Sequence, residues 1–339
     1  MSVSTQPINV ACLGIGWWSD VLADAIVRSG RLTIQSCYTR SEDKRAAFAK
    51  KYNCVAAPSF EAILADKSID AIINTTPNNV HLETTRQAAA AGKHVFLDKP
   101  IANTIAEGRA ITEACERAGV VLALGYQRRR ESQFRWIKQQ VDEGVFGRLV
   151  NAEANISRDR LGKIDLASWR YQAAGMPGGV MLQIGVHYVD VLHYLMGPIT
   201  SVSGYCAQLV LPGDNPDVAS LILEHESGAL STVNASYASA SENYVMNIYG
   251  KEASAYYDLH GGLRMVKRGT EKTVAVPFEK NDTYVDELDE FAAAVRGVGT
   301  PETGGEYATR SLGVIRAGII SAREGRRVQL AEVLADPHA

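Results

Sequence analysis

Two side chains in this sequence could move a proton, and each stands in a distinctive local context. Lys99 follows the apolar run His94–Leu97 and precedes Pro100, which predicts a lysine at the end of a buried strand. Burial disfavours the ammonium and can lower the pKa of a lysine into a range useful for acid–base chemistry. His187 begins a predicted apolar helix, and an imidazole titrates near neutral pH. Either group could exchange a proton with a hydroxyl during hydride transfer.

Each side chain also has a structural interpretation. A lone lysine is usually solvated, and a single histidine near an apolar helix is more often structural than catalytic. The neighbouring residues favour chemistry in both cases. Pro100 helps to hold the backbone of Lys99, and the Gly178-Gly179 pair would let the helix that carries His187 approach another surface. At helical spacing Asp190 shares a face with His187 and could orient its imidazole.

A glycine turn near the start of the chain predicts a nucleotide site. Gly14-x-Gly16 follows the apolar run Ile8–Leu13 and precedes a helical pattern. Glycines there let the backbone approach a pyrophosphate, which the N–H groups of a helix start stabilise. Ser19 replaces the usual third glycine, so a simple strand-to-helix turn is the alternative interpretation. The candidate cofactor contacts in the turn are Gly14, Ile15, Gly16, Trp17 and Trp18.

The end of the second predicted strand bears on which dinucleotide is bound. An NAD site places an acidic side chain here for the ribose 2′-hydroxyl, whereas this sequence has Thr39-Arg40-Ser41. A guanidinium pairs well with a 2′-phosphate, helped by hydroxyl groups and the start of a helix. The sequence therefore predicts NADP as the preferred cofactor and NAD as the other option. The alternative is a surface arginine beside a helix-capping serine.

Further polar side chains follow the later strands of the same pattern. Ligands of a parallel sheet gather at the carboxyl ends of its strands, so these residues are candidates for the same crevice. For His81 a position on the helix surface is an equally simple interpretation. The candidate cofactor contacts are Thr75, Thr76, Pro77, Asn78, His81, Asp98, Lys99 and Gln127, with Tyr126 as a substrate contact.

The elements that position these residues indicate two domains. Five apolar strand patterns alternate with helical patterns between Ile8 and Leu124, which predicts a doubly wound α/β domain of the Rossmann type. After Gly125 come successive strand patterns without helices between them, and two amphipathic helices follow. This order predicts an α+β domain with a large, mostly antiparallel open sheet. We place a dinucleotide-binding domain at residues 1–127 and a substrate-binding and oligomerisation domain at residues 128–339.

Composition excludes several other classes of function. The net charge is −3, from 35 Lys+Arg against 38 Asp+Glu, which favours neither nucleic acid nor an anionic membrane as a partner. The five cysteines are scattered and read as reduced, and the first residues lack a signal-peptide pattern, so we expect a cytoplasmic protein. No apolar run is long enough to span a membrane, and no cluster has metal-ligand spacing.

Several short motifs extend along the chain after the glycine turn. They are Asp98-Lys99-Pro100, Trp169-Arg170, Gly178-Gly179, Gly185-x-His187-x-x-Asp190 and Ser321-Ala322-x-x-Gly325-x-x-Val328. Together they resemble the Gfo/Idh/MocA family of glucose–fructose oxidoreductase-like and inositol dehydrogenase-like enzymes, whose Glu-Lys-Pro corresponds to the first motif. The resemblance covers nearly the whole chain. It implies NAD(P)-dependent oxidation or reduction of cyclic sugars, polyols and related diols.

The resemblance also implies roles for individual residues. Lys99 would be the catalytic lysine, and His187 would be the acid/base or substrate-orienting histidine. The family's aspartate four residues before that histidine is Gln183 here, and an amide hydrogen-bonds hydroxyl groups but does not ionise. A dinucleotide-binding regulator or scaffold without turnover is therefore the competing class of function, although such a protein would need neither Lys99 nor His187.

Arginines are concentrated in the predicted substrate region. They are Arg128, Arg129, Arg130, Arg158, Arg160 and Arg170. The structural interpretation is a solvated, ion-paired surface. The functional interpretation is recognition of a carboxylated or phosphorylated substrate. The candidate substrate contacts are Gln183, Tyr126, Arg129, Arg158, Trp169, Arg170 and Asp190.

The family resemblance also bears on assembly. The resemblance implies a C-terminal domain with an open sheet that the family uses for oligomerisation. The successive strand patterns of this chain fit such a sheet. We expect a homodimer or homotetramer formed through the C-terminal sheet.

Overall fold

The computed structural model describes residues 6–336, and these residues group into two compact units. Unit 1 contains the chain up to Gln127 together with Asp282–Thr309. Unit 2 contains Arg128–Asn281 and the chain from Arg310 onward. The sequence pattern predicts Asp282–Thr309 in the second domain, whereas the structure groups this returning segment with the first.

Unit 1 begins with the strand and helix alternation that the sequence predicts. In chain order its elements are β1 (Ile8–Leu13), α1 (Trp17–Ser29), β2 (Leu32–Tyr38), α2 (Glu42–Tyr52), β3 (Val55–Ala56), α3 (Phe60–Ala65), β4 (Ala71–Asn74), α4 (His81–Ala90), β5 (His94–Asp98), α5 (Ile105–Ala118) and β6 (Leu122–Gly125). The sequence pattern did not reveal β3 and α3, because elements of two and six residues are too short for a clear period.

These strands form one parallel sheet in the order β3-β2-β1-β4-β5-β6. Leu13 at the end of β1 lies beside Asn74 of β4, and Asn74 lies beside Leu97 of β5. The loops that follow these three strands therefore leave the sheet at adjacent points of one edge. This register places the glycine turn, the Thr75–Thr76 loop and Lys99 next to one another.

Local signals fix the ends of the helices in unit 1. Thr104 and Glu107 form a reciprocal capping box at the start of α5, which satisfies N–H groups that the first turn leaves without acceptors. The helix ends at Gly119, whose φ of 64° is in the left-handed region that glycine adopts at little cost.

Unit 2 begins with α6 (Ser132–Asp142), β7 (Leu149–Asp159) and α7 (Val186–Met196). Seven strands follow: β8 (Ile199–Ala207), β9 (Val218–His225), β10 (Leu230–Ser236), β11 (Ala238–Gly250), β12 (Ala253–Asp258), β13 (Gly262–Lys267) and β14 (Val274–Ala275). The chain closes with α8 (Thr283–Val295), α9 (Gly305–Glu324), β15 (Val328–Gln329) and α10 (Leu330–Ala335).

Helix α8 packs in unit 1, although it follows the strands of unit 2. Leu288, Phe291 and Ala292 join the buried cluster that also contains residues of β1, α1 and β2. The ring of Phe291 meets Phe96 of β5 edge-on at 5.8 Å, and Tyr284 meets Trp18 at 5.6 Å. These contacts explain why Asp282–Thr309 belongs to the first unit.

The strands of unit 2 form a nine-stranded sheet in the order β14-β13-β12-β11-β7-β10-β9-β8-β15. Within the described residues β7 and β10 pair in parallel, and the other neighbours pair antiparallel. Ala152, Ala154 and Ile156 of β7 are buried, whereas Glu153 between them is exposed, so the sheet buries one face. The predicted fold class, a doubly wound domain followed by a mostly antiparallel open sheet, is confirmed.

Candidate active site

The glycine turn of unit 1 packs directly against the loop that follows β4. Gly14 has φ +86°, and a Cβ added there would lie 2.6 Å from the backbone nitrogen of Thr76 and 2.7 Å from the carbonyl carbon of Thr75. The Thr75 hydroxyl donates to the Gly14 carbonyl at 2.8 Å and approaches the Leu13 carbonyl at 3.2 Å. Gly14 is therefore required both for its backbone conformation and for the approach of this loop.

The start of α1 fits a phosphate group. Gly16 is the N-cap residue, and no side chain caps the helix. A Cβ at Gly16 would meet no atom within 4 Å, so its missing side chain leaves open space beside the helix start. The first N–H groups of a helix lack acceptors within the helix and carry partial positive charge. Anion binding here fits both the space and the electrostatics.

Arg40 follows β2, at the position where the sequence predicts contact with a 2′-phosphate. Its side chain is exposed, and it forms no hydrogen bond or ion pair among residues 6–336. Ser41 caps α2 by accepting from the Lys44 N–H at 3.4 Å, which is the structural role considered as the alternative for that serine. Arg45 donates to the Thr39 carbonyl at 2.9 Å, so a second arginine holds the strand end.

His81 is fully buried, and the interpretation of it as a helix-surface residue is wrong. Its Nε2 lies 2.8 Å from the Thr76 carbonyl, and its Nδ1 lies 3.1 Å from the Pro100 carbonyl and 3.2 Å from that of Ile101. Burial lowers the pKa of the imidazole, while these carbonyl groups oppose that effect. The ring thus ties the loop after β4 to the loop that follows Lys99.

Two buried oxygen atoms near this edge of the sheet lack partners. Asp98 Oδ1 and Gln127 Oε1 have no hydrogen-bond partner within the described part of the chain. Such atoms usually find a partner, so both fit contact with a bound polar ligand. Lys99 follows β5, is partly exposed, and is joined to Pro100 by a cis peptide bond. Asn78 at this edge is also buried, and its amide donates to Asn103 at 3.1 Å.

In unit 2 the glycine pair brings the segment before His187 against its neighbours. A Cβ at Gly178 would lie 2.3 Å from Ile319 Cδ1 of α9, and one at Gly179 would lie 2.4 Å from the Pro216 carbonyl oxygen. A π-helical turn over Met181–Gly185 follows and leads directly into α7. Gln183 lies in this turn and is partly exposed, whereas His187 in the first turn of α7 is buried.

Asp190 and Arg129 form a buried ion pair. Arg129 Nε lies 3.1 and 3.2 Å from the two carboxylate oxygens of Asp190, and Arg129 Nη2 also donates to Oδ1. The two side chains are 4% and 0% exposed. This pair joins the segment before α6 to α7, a structural role that the sequence did not reveal for either residue.

Other predicted arginines lie against aromatic rings. Arg128 lies 4.7 Å from the ring centroid of Tyr244 and 2.9 Å from a carboxylate oxygen of Glu131. Arg158 lies 5.6 Å from the same ring, and Arg170 lies 4.6 Å from the ring of Trp169. Tyr244 was missed from the sequence, because a strand tyrosine carries no signal for which side chains it will meet.

Comparison with known proteins identifies the class to which this site belongs. Residues 8–126 match the profile of the oxidoreductase family with an NAD-binding Rossmann fold, and residues 134–256 match the GFO/IDH/MocA C-terminal domain. These matches span more than half of the chain. The chain belongs to the GFO/IDH/MocA family of oxidoreductases.

Individual relatives agree with this assignment. The chain is 30% identical to scyllo-inositol 2-dehydrogenase (NAD(+)) of Bacillus subtilis over 79% of its length and 80% of that protein. It is 27% identical to D-apiose dehydrogenase of Paraburkholderia graminis, over 82% and 77% of the two chains. A crystal structure from Desulfitobacterium hafniense, provisionally described as an NADPH-dependent oxidoreductase, superimposes with a TM-score of 0.92 at 32% identity, covering 97% and 99%.

Two features are absent from residues 6–336. None of the helices there combines the length and the apolar character needed to cross a membrane. Within the same residues, histidine, cysteine and carboxylate side chains do not assemble into a group of three that could hold a metal ion.

The buried Arg129–Asp190 pair should dominate the stability of this part of unit 2. Asp190→Asn would leave the guanidinium buried without its counter-charge, so we expect a loss of about 3–5 kcal/mol in the free energy of unfolding, measured in urea. Arg327→Ala breaks an exposed pair with Glu224 and should cost less than about 1 kcal/mol. Similar losses for the two variants would contradict the structural role assigned to Asp190.

Proposed function

We propose that this protein is an NADP-preferring dehydrogenase or reductase that acts on a carbinol of a cyclic sugar, polyol or dihydrodiol. The observation that carries the proposal is the shared edge of the parallel sheet, where Lys99 emerges beside the glycine turn and the Thr75–Thr76 loop. Relatives named for inositol and apiose support this class of substrate. When bound, the nicotinamide would supply the hydride exchange with the carbinol carbon.

The chain's own residues would manage the proton and orient the substrate. Lys99 Nζ would take the hydroxyl proton in oxidation and return it in reduction, and the His187 imidazole would share this task. Gln183 would hydrogen-bond a substrate hydroxyl through its amide. Asp190 and Arg129 would hold the start of α7, and therefore His187, rather than contact the substrate.

The preference for NADP rests on Arg40. Its exposed guanidinium has no partner in the described chain, and no acidic side chain precedes it at the end of β2. The similar structure from Desulfitobacterium hafniense is provisionally described as NADPH-dependent, whereas the Bacillus subtilis relative is named for NAD(+). The relatives therefore do not decide between NADP and NAD, and the proposed preference depends on the residues of this chain.

A regulator that binds the dinucleotide without turnover is the second candidate. Gln183 favours it, because the amide cannot ionise where the family pattern has an aspartate. The two candidates differ in whether Lys99 matters for a measured rate.

Arg40→Ala tests the cofactor preference. Loss of one charge-assisted pair costs roughly 1.5–3 kcal/mol, so NADPH binding should weaken by about 10- to 100-fold while NADH binding barely changes. Titration of NADPH and NADH fluorescence would measure both constants. Lys50→Ala removes an exposed positive charge from the far end of α2 and serves as the control. Equal binding of both cofactors by the unmodified protein would refute the preference.

Lys99→Ala and His187→Ala test the catalytic assignment. General acid–base catalysis contributes about 10²–10⁴-fold, so Lys99→Ala should lower kcat by that factor and His187→Ala by a similar or smaller one. NADPH affinity should change little, and the double variant should lose less than the product of the two effects. If kcat of Lys99→Ala stays within a factor of about three of the unmodified protein, Lys99 is not the acid–base group, and the proton transfer must be assigned to His187 or to water.

We also propose a homodimer or homotetramer formed through the exposed face of the nine-stranded sheet. Tyr237, Tyr244 and Tyr257 are buried within the protomer, so they do not contribute to this face. Tyr205 and Ile222, 83% and 52% exposed, are apolar positions on it. Ile222→Asp should reduce the mass in solution, measured by light scattering, whereas Val27→Asp in unit 1 should not. A mass near 36.7 kDa for the unmodified chain would contradict the assembly.

A further inference from the structure

Three arginines of unit 2 carry positive charge that the described chain does not neutralise. The guanidinium groups of Arg158, Arg160 and Arg170 form no ion pair and no hydrogen bond within residues 6–336. The nearest carboxylate in sequence, Asp159, is taken by Lys163 at 2.9 Å. These three arginines therefore do not form the ion-paired surface that is the ordinary interpretation of their sequence.

The charges of the three arginines all act on one buried tyrosine, Tyr237. Tyr237 is 2% exposed, and its hydroxyl has no hydrogen-bond partner in the described residues. Arg158, Arg160 and Arg170 all favour the ionised form of Tyr237 electrostatically, against a burial effect that raises its pKa. The Arg160 N–H also donates to the Tyr237 carbonyl at 2.9 Å, which fixes the backbone of the cluster. An unpartnered hydroxyl therefore lies within the field of three cations.

A small cleft opens beside this hydroxyl. Its lining includes Arg170, Tyr171, Asn215 and Tyr237. Asn215 donates through its amide to the Met176 carbonyl at 2.9 Å, while its buried Oδ1 has no partner in the described chain. The lining of the cleft thus combines one cation, Arg170, with the side chain of Tyr237.

One carboxylate, Asp217, also lines the cleft, but its charge is already engaged. Its oxygens accept the backbone N–H groups of Leu209, Val210 and Leu211 at 2.9, 2.8 and 2.6 Å. Burial opposes ionisation of Asp217, yet these donors outweigh it and lower its pKa. The carboxylate therefore anchors its own loop and does not pair with the arginines.

The register of the sheet relates this cluster to the segment that carries His187. Ala235 of β10 pairs with Ile156 of β7, and a Cβ at Gly185 would lie 3.6 Å from the Ala235 Cβ. Arg158 is two residues further along β7, and Tyr237 is two residues beyond Ala235, directly after the end of β10. Two residues of a strand span roughly 6.6–6.8 Å, about the width of a substituted six-membered ring.

From these observations we infer that Arg158, Arg160, Arg170 and Tyr237 form a subsite for an oxyanion on the substrate, a carboxylate or a phosphate attached to the ring. Guanidinium groups bind both anions through paired hydrogen bonds, and the Tyr237 hydroxyl donates a further one. The inference rests on the proposed function, because it names the class of cyclic substrate. Arg129, paired with Asp190, takes no part in it.

The test compares matched neutral and anionic rings. D-glucose, D-glucuronate and D-glucose 6-phosphate form one set, and myo-inositol with its monophosphate forms another. For turnover with NADP+, the anionic member of a set should exceed the neutral one in kcat/KM by at least about tenfold, and the advantage should shrink with added salt. Whether D-glucuronate or the phosphates benefit identifies the oxyanion.

Variants locate the effect. Arg158→Met and Tyr237→Phe keep most of the side-chain volume, and each should lower kcat/KM for the anionic ring at least about tenfold while the neutral ring changes less than about threefold. Arg148→Met, at the opposite end of β7 and exposed, removes a charge outside the cluster and should leave both values unchanged. Equal use of neutral and anionic rings, or an anionic preference that survives Arg158→Met, would overturn the subsite.

A binding measurement separates failure of the subsite from failure of the proposed function. Trp169 lies against Arg170, so its fluorescence should report anion binding without turnover. Saturable binding of D-glucuronate or D-glucose 6-phosphate that Arg170→Met abolishes and Arg148→Met preserves would support the subsite even if no ring is oxidised. Absence of saturable binding by every anion of the panel below about 10 mM would overturn it, whatever the activity on neutral rings.

Discussion

The contact between Gly14 and the Thr75–Thr76 backbone is the constraint on which the rest of unit 1 depends. It joins the loops after β1 and β4, and it leaves no room for a side chain at Gly14. His81 extends the same arrangement to the loop after β5 through three backbone carbonyls. One glycine and one buried histidine thus position the loops that carry Gly16 and Lys99.

In unit 2, glycines again permit close backbone packing, here before the helix that carries His187. Gly178 and Gly179 let the backbone lie against Ile319 and Pro216, and the π-helical turn that follows leads into α7. The Arg129–Asp190 pair then fixes α7 from within. Arg129 is neutralised by Asp190, whereas Arg158, Arg160 and Arg170 form no ion pair within residues 6–336, and this contrast is the basis for the different roles proposed for them.

Much of the fold was predictable because apolar strand patterns alternate cleanly with helical patterns along the first 124 residues, and the apolar run Ile8–Leu13 forms β1 with the same bounds. Gly14, Arg40 and Lys99 were also selected as candidate site residues from their type and position alone. The return of α8 to unit 1 was not, because amphipathicity shows that a helix has a buried face but not what covers it. Likewise, one-dimensional spacing does not show that Asp190 meets Arg129, that His81 is buried, or that Tyr237 lies among three arginines.

The most direct measurement is the affinity of Gly14→Ala for NADPH, compared with that of Gly30→Ala. Both glycines have positive φ, +86° and +66°, but a Cβ at Gly30 meets nothing within 4 Å. Both variants should therefore lose about 1 kcal/mol of stability from backbone strain. Only Gly14→Ala should also displace the Thr75–Thr76 loop and weaken NADPH binding by more than about 100-fold, close to 3 kcal/mol. NADPH binding by Gly14→Ala within about threefold of the unmodified protein would contradict the account.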